Sequence, residues 1–546
     1  MTTSARGGMP YVVPFMAAAF LLGVLPAKAG TYAFFDPDES GSRLWSHSAA
    51  WYTCGDYKND QTKYRTNITP LNAPGDGKAV MVDSNLLTPG APLKIDDGRE
   101  VEVSQLYMAY YLGSPYGEEP HMVALEIGEG ATLWTTTDTA NFNVGYCENG
   151  EALMLVEADA LVSNCNFRVG AYGLGIVTNR GGQVACTGTS NSSYGLILGY
   201  NPTGVGVYSQ TAGTLVSKYC HVGREGTGLL DVSGGGMSVS SATYVGEKSG
   251  GSGTLRLCGV VVTNQTTVGY AANTWGCLHL RGATNYAGTV KIRDNVDAYG
   301  QLRGWGSIFQ YHATSASGEM NNFFMNGQAI ADGEGVDGRV LDLRLIHTGS
   351  GGMYSNVKVT IPNGATGTNG WYAVNKGILA YPMIYVRGAS WAGTFGANTN
   401  EFCDAVNTVR IDYNQTSNKG PWLEAQLYAN DSSMVPAGLE GQVLGVWGFR
   451  SNVKYDNRSS QLANLTDFSL RFRYDHRSLK SKSRISLMRY NQALGEWQRI
   501  SGVEHDPASP FISATALTAD GAEYDRNLGV FAVVDEGTSG FMIVVR

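Results

Sequence analysis

The chain has 546 residues, of which 71 are Gly, 43% are hydrophobic and 16% charged, with a formal net charge of −8 at pH 7. That length allows several domains with a sizeable core, while the acidic balance excludes nucleic acid as a partner, since phosphate recognition needs a concentrated basic surface. Eight cysteines in so long a chain are too sparse for a disulfide framework, and no C-x-x-C or H-E-x-x-H spacing marks a metal site.

Residues 1–29 have the form of a secretion signal: Arg6, an apolar stretch from Tyr11 to Leu25, and Ala27-Lys28-Ala29 as a small-x-small cleavage site. Its removal takes Arg6 and Lys28 but no acid, so the exported chain is more acidic still. No later stretch is long and apolar enough for a transmembrane helix. Residues 30–105, with "RLWSHSAAW" and "APGDGKAVMVDSN", are expected to build an N-terminal cap and first coils.

Residues 106–310 repeat. An apolar-Gly step recurs at Leu112-Gly113, Val144-Gly145, Val169-Gly170, Leu198-Gly199, Val222-Gly223, Val245-Gly246 and Val268-Gly269, at intervals of 32, 25, 29, 24, 23 and 23 residues. Short alternating segments follow these steps, as in "GTGLLDVSGG", "GSGTLRLCG" and "NTWGCLHLRG". A period in the twenties with two or three short strands and glycine corners is the mark of a stacked solenoid. The segment is therefore expected to be a parallel β-helix, with Leu230, Leu255 and Leu278 stacked inside. Each buried aliphatic side chain contributes about 1.5–3 kcal/mol, so stability accumulates coil by coil.

Residues 311–446 drift from the pattern and are expected to form an irregular β extension. From about Trp447 the style becomes antiparallel: in "FSLRFRYD" Phe468, Leu470, Phe472 and Tyr474 alternate with polar residues. Residues 447–546 are thus expected to fold as a β-sandwich. No long amphipathic helical pattern occurs, so the fold class is all-β, a parallel β-helix followed by an antiparallel β-sandwich-like region.

"LWSHSAAW" and "APGDGKAVMVD", followed by repeats such as "VGREGTGLLDVSGG", resemble the autotransporter-type β-strand repeats of bacterial secreted proteins over roughly residues 40–310. The C-terminal part is similar to terminal segments of large secreted Gram-negative proteins. The resemblance implies a passenger-like solenoid at the cell surface or outside a Gram-negative-type bacterium. True autotransporters end in a membrane β-barrel whose last residue is usually aromatic, whereas this chain ends "FMIVVR".

Two outward columns are candidate sites. Registering the inner strands aligns Met154, Thr178, Ser209, Asp231, Arg256 and His279, which is either a ligand patch or, more simply, a solvated ion ladder. The position after each corner glycine gives Tyr146, Ala171, Tyr200, Arg224, Glu247 and Tyr270, where a row of tyrosines offers apolar ring faces with polar edges to sugars. Asp332, Glu334 and Asp337 in "DGEGVDG" suit Ca²⁺ by residue type, but without the closing Glu of an EF-hand a plain turn is the better account. Arg471, Arg473, Arg477, Lys480, Lys482 and Arg484 form a basic cluster suited to anionic envelope polymers.

A β-helix lyase or hydrolase needs paired carboxylates, about 5 to 9.5 Å apart for hydrolysis, yet no two acids share a register here. The expected function is that of an exported, non-enzymatic surface or matrix element, structural or adhesive, whose partners are polysaccharide or cell-envelope components and which requires no cofactor. A polysaccharide lyase or hydrolase is one alternative, and an autotransporter passenger with a C-terminal barrel is the other.

Overall fold

A computed structural model of the chain describes residues 32–35, 43–46, 51–54, 69–70, 78–82, 87–110, 122–135, 140–188, 194–293, 297–310, 323–325, 327–342, 371–375, 377–380, 384–385, 390–395, 408–415, 422–430, 432–433, 435–451, 465–474, 479, 484–505, 511–517 and 527–537. Residues 1–29, expected from the sequence to be a secretion signal, lie outside them. The described residues contain strands and no helix.

Each coil of the solenoid passes through three faces. The first is built of Met122–Ile127, Glu151–Val156, 174–179, 205–210, Thr227–Val232, Ser252–Leu257, 275–280 and 299–304, every strand parallel to the next. The second runs from Thr132–Trp134 and Leu161–Asn164 through 183–186, 214–217 and 236–239. The third runs from Asn141–Val144 through Asn166–Val169 and Leu196–Leu198 to 242–245 and 265–268. Parallel pairing continues from Ala79 to Ala331 and beyond, so residues 79–331 form one stack.

Alternation on each strand fills the interior. Leu230, Leu255, Leu278 and Leu302 stand in direct register and are fully buried, which is the stacking anticipated from the repeats. The inner polar residues are matched to the corners. Buried Asn179 donates to the Gly182 carbonyl at 3.0 Å, and Gln210 Nε2 donates to the carbonyls of Gly236 at 2.9 Å and Gly234 at 3.1 Å, so these amides satisfy backbone that has left the ladder.

Two glycines make the corner between the third and first faces. Gly223, Gly246 and Gly269 have φ of 69°, 69° and 71°, where a side chain is strained. Gly253, which opens the next strand, packs so closely that a Cβ would lie 2.0 Å from the Val222 carbonyl oxygen and 2.7 Å from Gly246 N. The first corner differs from the expected one. Gly113 lies outside the described residues, and the left-handed place in that coil is taken by Ala109, with φ 53° and its N–H bonded to the Val82 carbonyl at 3.1 Å. Arg293, φ 63°, takes the same place where the sequence pattern fades.

Antiparallel strands close both ends of the stack. Tyr32–Phe35 pairs antiparallel with Trp51–Cys54 and parallel with Lys78–Val82. At the other end Gly377–Ala380 pairs antiparallel with Trp422–Tyr428, which continues through Gln442–Ser451 and Asn527–Asp535 to Ile485–Asn491. A second antiparallel sheet orders Ser390–Phe395, Thr408–Gln415, Leu465–Arg473, Phe511–Leu517 and Glu504–His505. The two sheets meet along Phe449, Phe472 and Phe531, with ring centroids 5.8–6.4 Å apart. Among the described strands this is a sandwich of two open sheets and not one closed ring. Leu470, Phe472 and Tyr474 are buried while Arg471 is exposed, in keeping with the alternation of that strand.

Cys147, Cys186, Cys220, Cys258 and Cys277 are free thiols. Burial pushes Cys220 and Cys277 up to about 12, so neither supplies a thiolate near neutrality.

Candidate functional site

The first outward column is real from Thr178 onward. Thr178, Ser209, Asp231, Arg256, His279 and Arg303 follow one another in register on the first face. Met154 does not belong to it. It registers with Val177 and points into the core, while Leu155 holds the outward place beside Thr178. Four consecutive apolar residues in "LMLV" leave the alternation ambiguous by one step, and a one-residue slip exchanges the faces.

Within this column every acid meets a cation. Arg256 stands 3.7 Å from Asp231. His279 Nε2 and Arg281 Nε lie 3.1 and 3.3 Å from the Glu334 carboxylate, which the turn after Gln328–Asp332 brings back over the face. Arg303 Nε donates to Asp332 at 2.8 Å, and Asp332 also accepts from the Glu334 N–H at 3.0 Å. Asp337 instead accepts from the Ser433 N–H at 3.3 Å. The three acids of "DGEGVDG" therefore diverge toward separate protein partners. Burial is the largest influence on His279 and lowers its pKa; Glu334 opposes this, and Arg303, Arg256 and Arg281 reinforce it. Burial keeps the thiol of Cys277, two residues before His279 on the same strand, protonated near neutrality.

The second column lies on the corner between the third and first faces, where the N–H groups of Ala171, Tyr200, Glu247 and Tyr270 bond the carbonyls of Gly145, Gly170, Gly223 and Gly246. Its members meet different neighbours. Tyr146 stacks on Tyr110 with centroids 5.0 Å apart and planes 2° from parallel, and Tyr172 and Tyr107 meet its edge. The Arg168 and Arg224 guanidinium carbons lie 4.1 and 4.5 Å from the Tyr200 ring centre, a double cation–π contact. Burial alone would raise the Tyr200 hydroxyl, but the Arg224 hydrogen bond and the charges of Arg168, Arg224 and Lys248 bring it below its ordinary value. Tyr270 packs edge-on against Tyr244, which stacks on His221.

Glu247 ties the lower half of this corner together. His221 Nδ1 lies 2.7 Å from its Oε2, and Arg224 Nε 3.7 Å. Burial works against the charge, yet the His221 hydrogen bond, with His221, Arg224 and Lys248 nearby, holds the carboxyl below its usual range. Of the three tyrosines named from the sequence, Tyr270 presents its ring to solvent at 43% exposure, while Tyr146 and Tyr200 are half-buried by their partners. Tyr172, at 40%, is the other open ring of the corner.

Sequence reasoning missed Arg168, His221 and Tyr244. All three sit two residues before a corner glycine, so aligning that position as well as the one after it uncovers them. It missed Tyr172 because "GAYG" displaces the aromatic by one place. Of the basic C-terminal cluster, Arg471 covers Phe511 at 4.1 Å and Arg484 lies 3.3 Å from Glu536, while Arg477, Lys480 and Lys482 are outside the described residues. No helix among the described residues is long and apolar enough to cross a membrane. No family model matches the chain, nor does any curated protein or solved structure.

Proposed function

We propose that this protein is an exported, non-enzymatic β-solenoid that adheres to glycan of a bacterial cell surface or matrix through the tyrosine corner. The observation that carries this reading is the pair of open rings, Tyr172 and Tyr270, on one corner row whose middle is fixed by the Arg168–Tyr200–Arg224 sandwich. Their corners, Gly170 and Gly269, are four rungs apart, so the rings are spaced by about 19 Å, the reach of a short oligosaccharide. Each ring offers the apolar face on which a pyranose packs, and the rigid backbone of the corner limits the ordering cost of binding. Against the hydrolase and lyase alternatives stands the pairing of Asp231, Glu334 and Asp332 with Arg256, Arg281 and Arg303, which engages each carboxylate with a cation of the protein itself. Autotransporter-type export is carried by the solenoid alone and by the resemblance of its repeats.

The test is a glycan array together with a reducing-end release assay on the purified chain. Binding without turnover is expected, and Tyr172→Ala combined with Tyr270→Ala should weaken it about tenfold, equivalent to about 1.4 kcal/mol. Release of reducing ends would overturn the non-enzymatic reading. Binding that ignores both substitutions would remove the corner as its seat.

A further inference from the structure

The three faces of the solenoid differ on their outer sides. The third carries Arg168, His221 and Tyr244, and the second mixes polar side chains such as Ser163, Gln183 and Ser238 with the isolated aliphatics Leu161 and Val216. The first is unlike both. In four successive coils its outward positions include a contiguous aliphatic strip, Leu153, Leu174, Ile176, Val205, Val207 and Leu229, with Val205 38% exposed and the other five half-buried, while Glu151, Thr178, Ser209, Thr227 and Asp231 flank it in the same coils. Water-facing positions of a strand normally alternate to polar, and a contiguous exposed aliphatic patch on a folded protein marks a contact surface.

Charge frames this patch at both ends. Toward the N-terminal coils lie Glu126, Lys94 and Glu151, with Lys94 3.3 Å from Glu126. Toward the C-terminal coils lie Asp231, Arg256, His279 and Arg303. An apolar centre with a charged rim is the anatomy of a protein–protein interface.

We infer that the first face is the interface of a homodimer, with a second copy of this chain packed face to face and running antiparallel. A two-fold axis along the strands, between the rungs of Ile176 and Val207, sets Ile176 against the partner's Val207 and Leu153 against the partner's Leu229. The same axis brings Glu126 opposite the partner's Arg256, so the rims meet with opposite charge at that place. The tyrosine corner borders this face without belonging to its centre, so dimerisation leaves the proposed glycan site open and doubles it.

Sedimentation equilibrium of the full chain over micromolar concentrations tests the inference, and a dimer is expected. Ile176→Lys with Val207→Lys should weaken association at least 100-fold with an unchanged circular dichroism spectrum. Glu126→Arg or Arg256→Glu alone should weaken it several-fold, and the two together should restore it. Radical footprinting of the wild-type chain, which needs no substitution, should show Leu153 and Ile176 labelled in dilute solution and shielded at high concentration. A monomer at the highest concentration overturns the proposal, as does a dimer indifferent to the substitutions. So does shielding of the strip that does not depend on concentration, the result expected if another part of the same chain covers it.

Discussion

Gly253 shows how a single residue sets the geometry of the corner. Its backbone lies against the Val222 carbonyl and the Gly246 amide of the preceding corner, leaving no room for a methyl group, and the nearest atoms are backbone that cannot swing aside. Gly228 is in the same position against Gly223 N, where a Cβ would lie at 2.1 Å. Substituting alanine forces two adjacent coils apart, and overpacking against backbone costs on the order of 2–4 kcal/mol. Gly236 is the control, because its nearest atom to an added Cβ is a Thr214 methyl at 3.9 Å. Gly253→Ala should therefore lower the urea midpoint clearly, while Gly236→Ala leaves it nearly unchanged. Equal effects from the two would show that glycine composition alone, and not close approach of coils, is what the corners require.

At the scale of elements, the corner ladder from Tyr219 through His221 and Tyr244 to Tyr270 is held by Glu247. Because the folded protein keeps the Glu247 carboxyl below its unfolded range, Glu247 contributes stability that is fully present above the unfolded value of about 4.5 and is lost as pH falls through the folded one. Glu247→Gln should lower the melting temperature most at pH 7, and the gap between variant and wild type should narrow from pH 4.5 to pH 3. A gap that stays constant in thermal melts across that range would place the stabilisation elsewhere. The periodicity of the chain made the strands and their inner rows legible, since Leu230, Leu255 and Leu278 repeat in identical local settings. It misplaced Met154, where four apolar residues in a row erase the alternation, and it took Gly113 for a corner that Ala109 makes. Neither error is visible in composition, because a left-handed alanine has no sequence mark. The aromatic ladder was only half legible: the residues after each glycine were aligned, but the partners two places before it, which decide which tyrosine rings stay open, were not.

For the whole molecule, the stack of coils is a one-dimensional object whose exposed ends invite further strands. Both ends meet antiparallel strands, Tyr32–Phe35 with Trp51–Cys54 at one and Trp422–Tyr428 at the other. Growth into a fibre is thereby discouraged at the ends, and lateral association through the aliphatic first face is the route left to a larger assembly. Everything proposed for the faces, the tyrosine corner and the homodimer alike, requires that residues about two dozen apart in sequence be neighbours on adjacent rungs. The most direct measurement is pairwise cross-linking on the outward column, with the products mapped by mass spectrometry. Asp231→Cys with Arg256→Cys places two thiols on adjacent rungs, about 4.8 Å apart and within disulfide reach, whereas Asp231→Cys with Ser252→Cys separates them by most of a strand. Rapid intramolecular bridging of the first pair and none of the second is the predicted result; bridging of the second pair, or of neither, would contradict the stacked register.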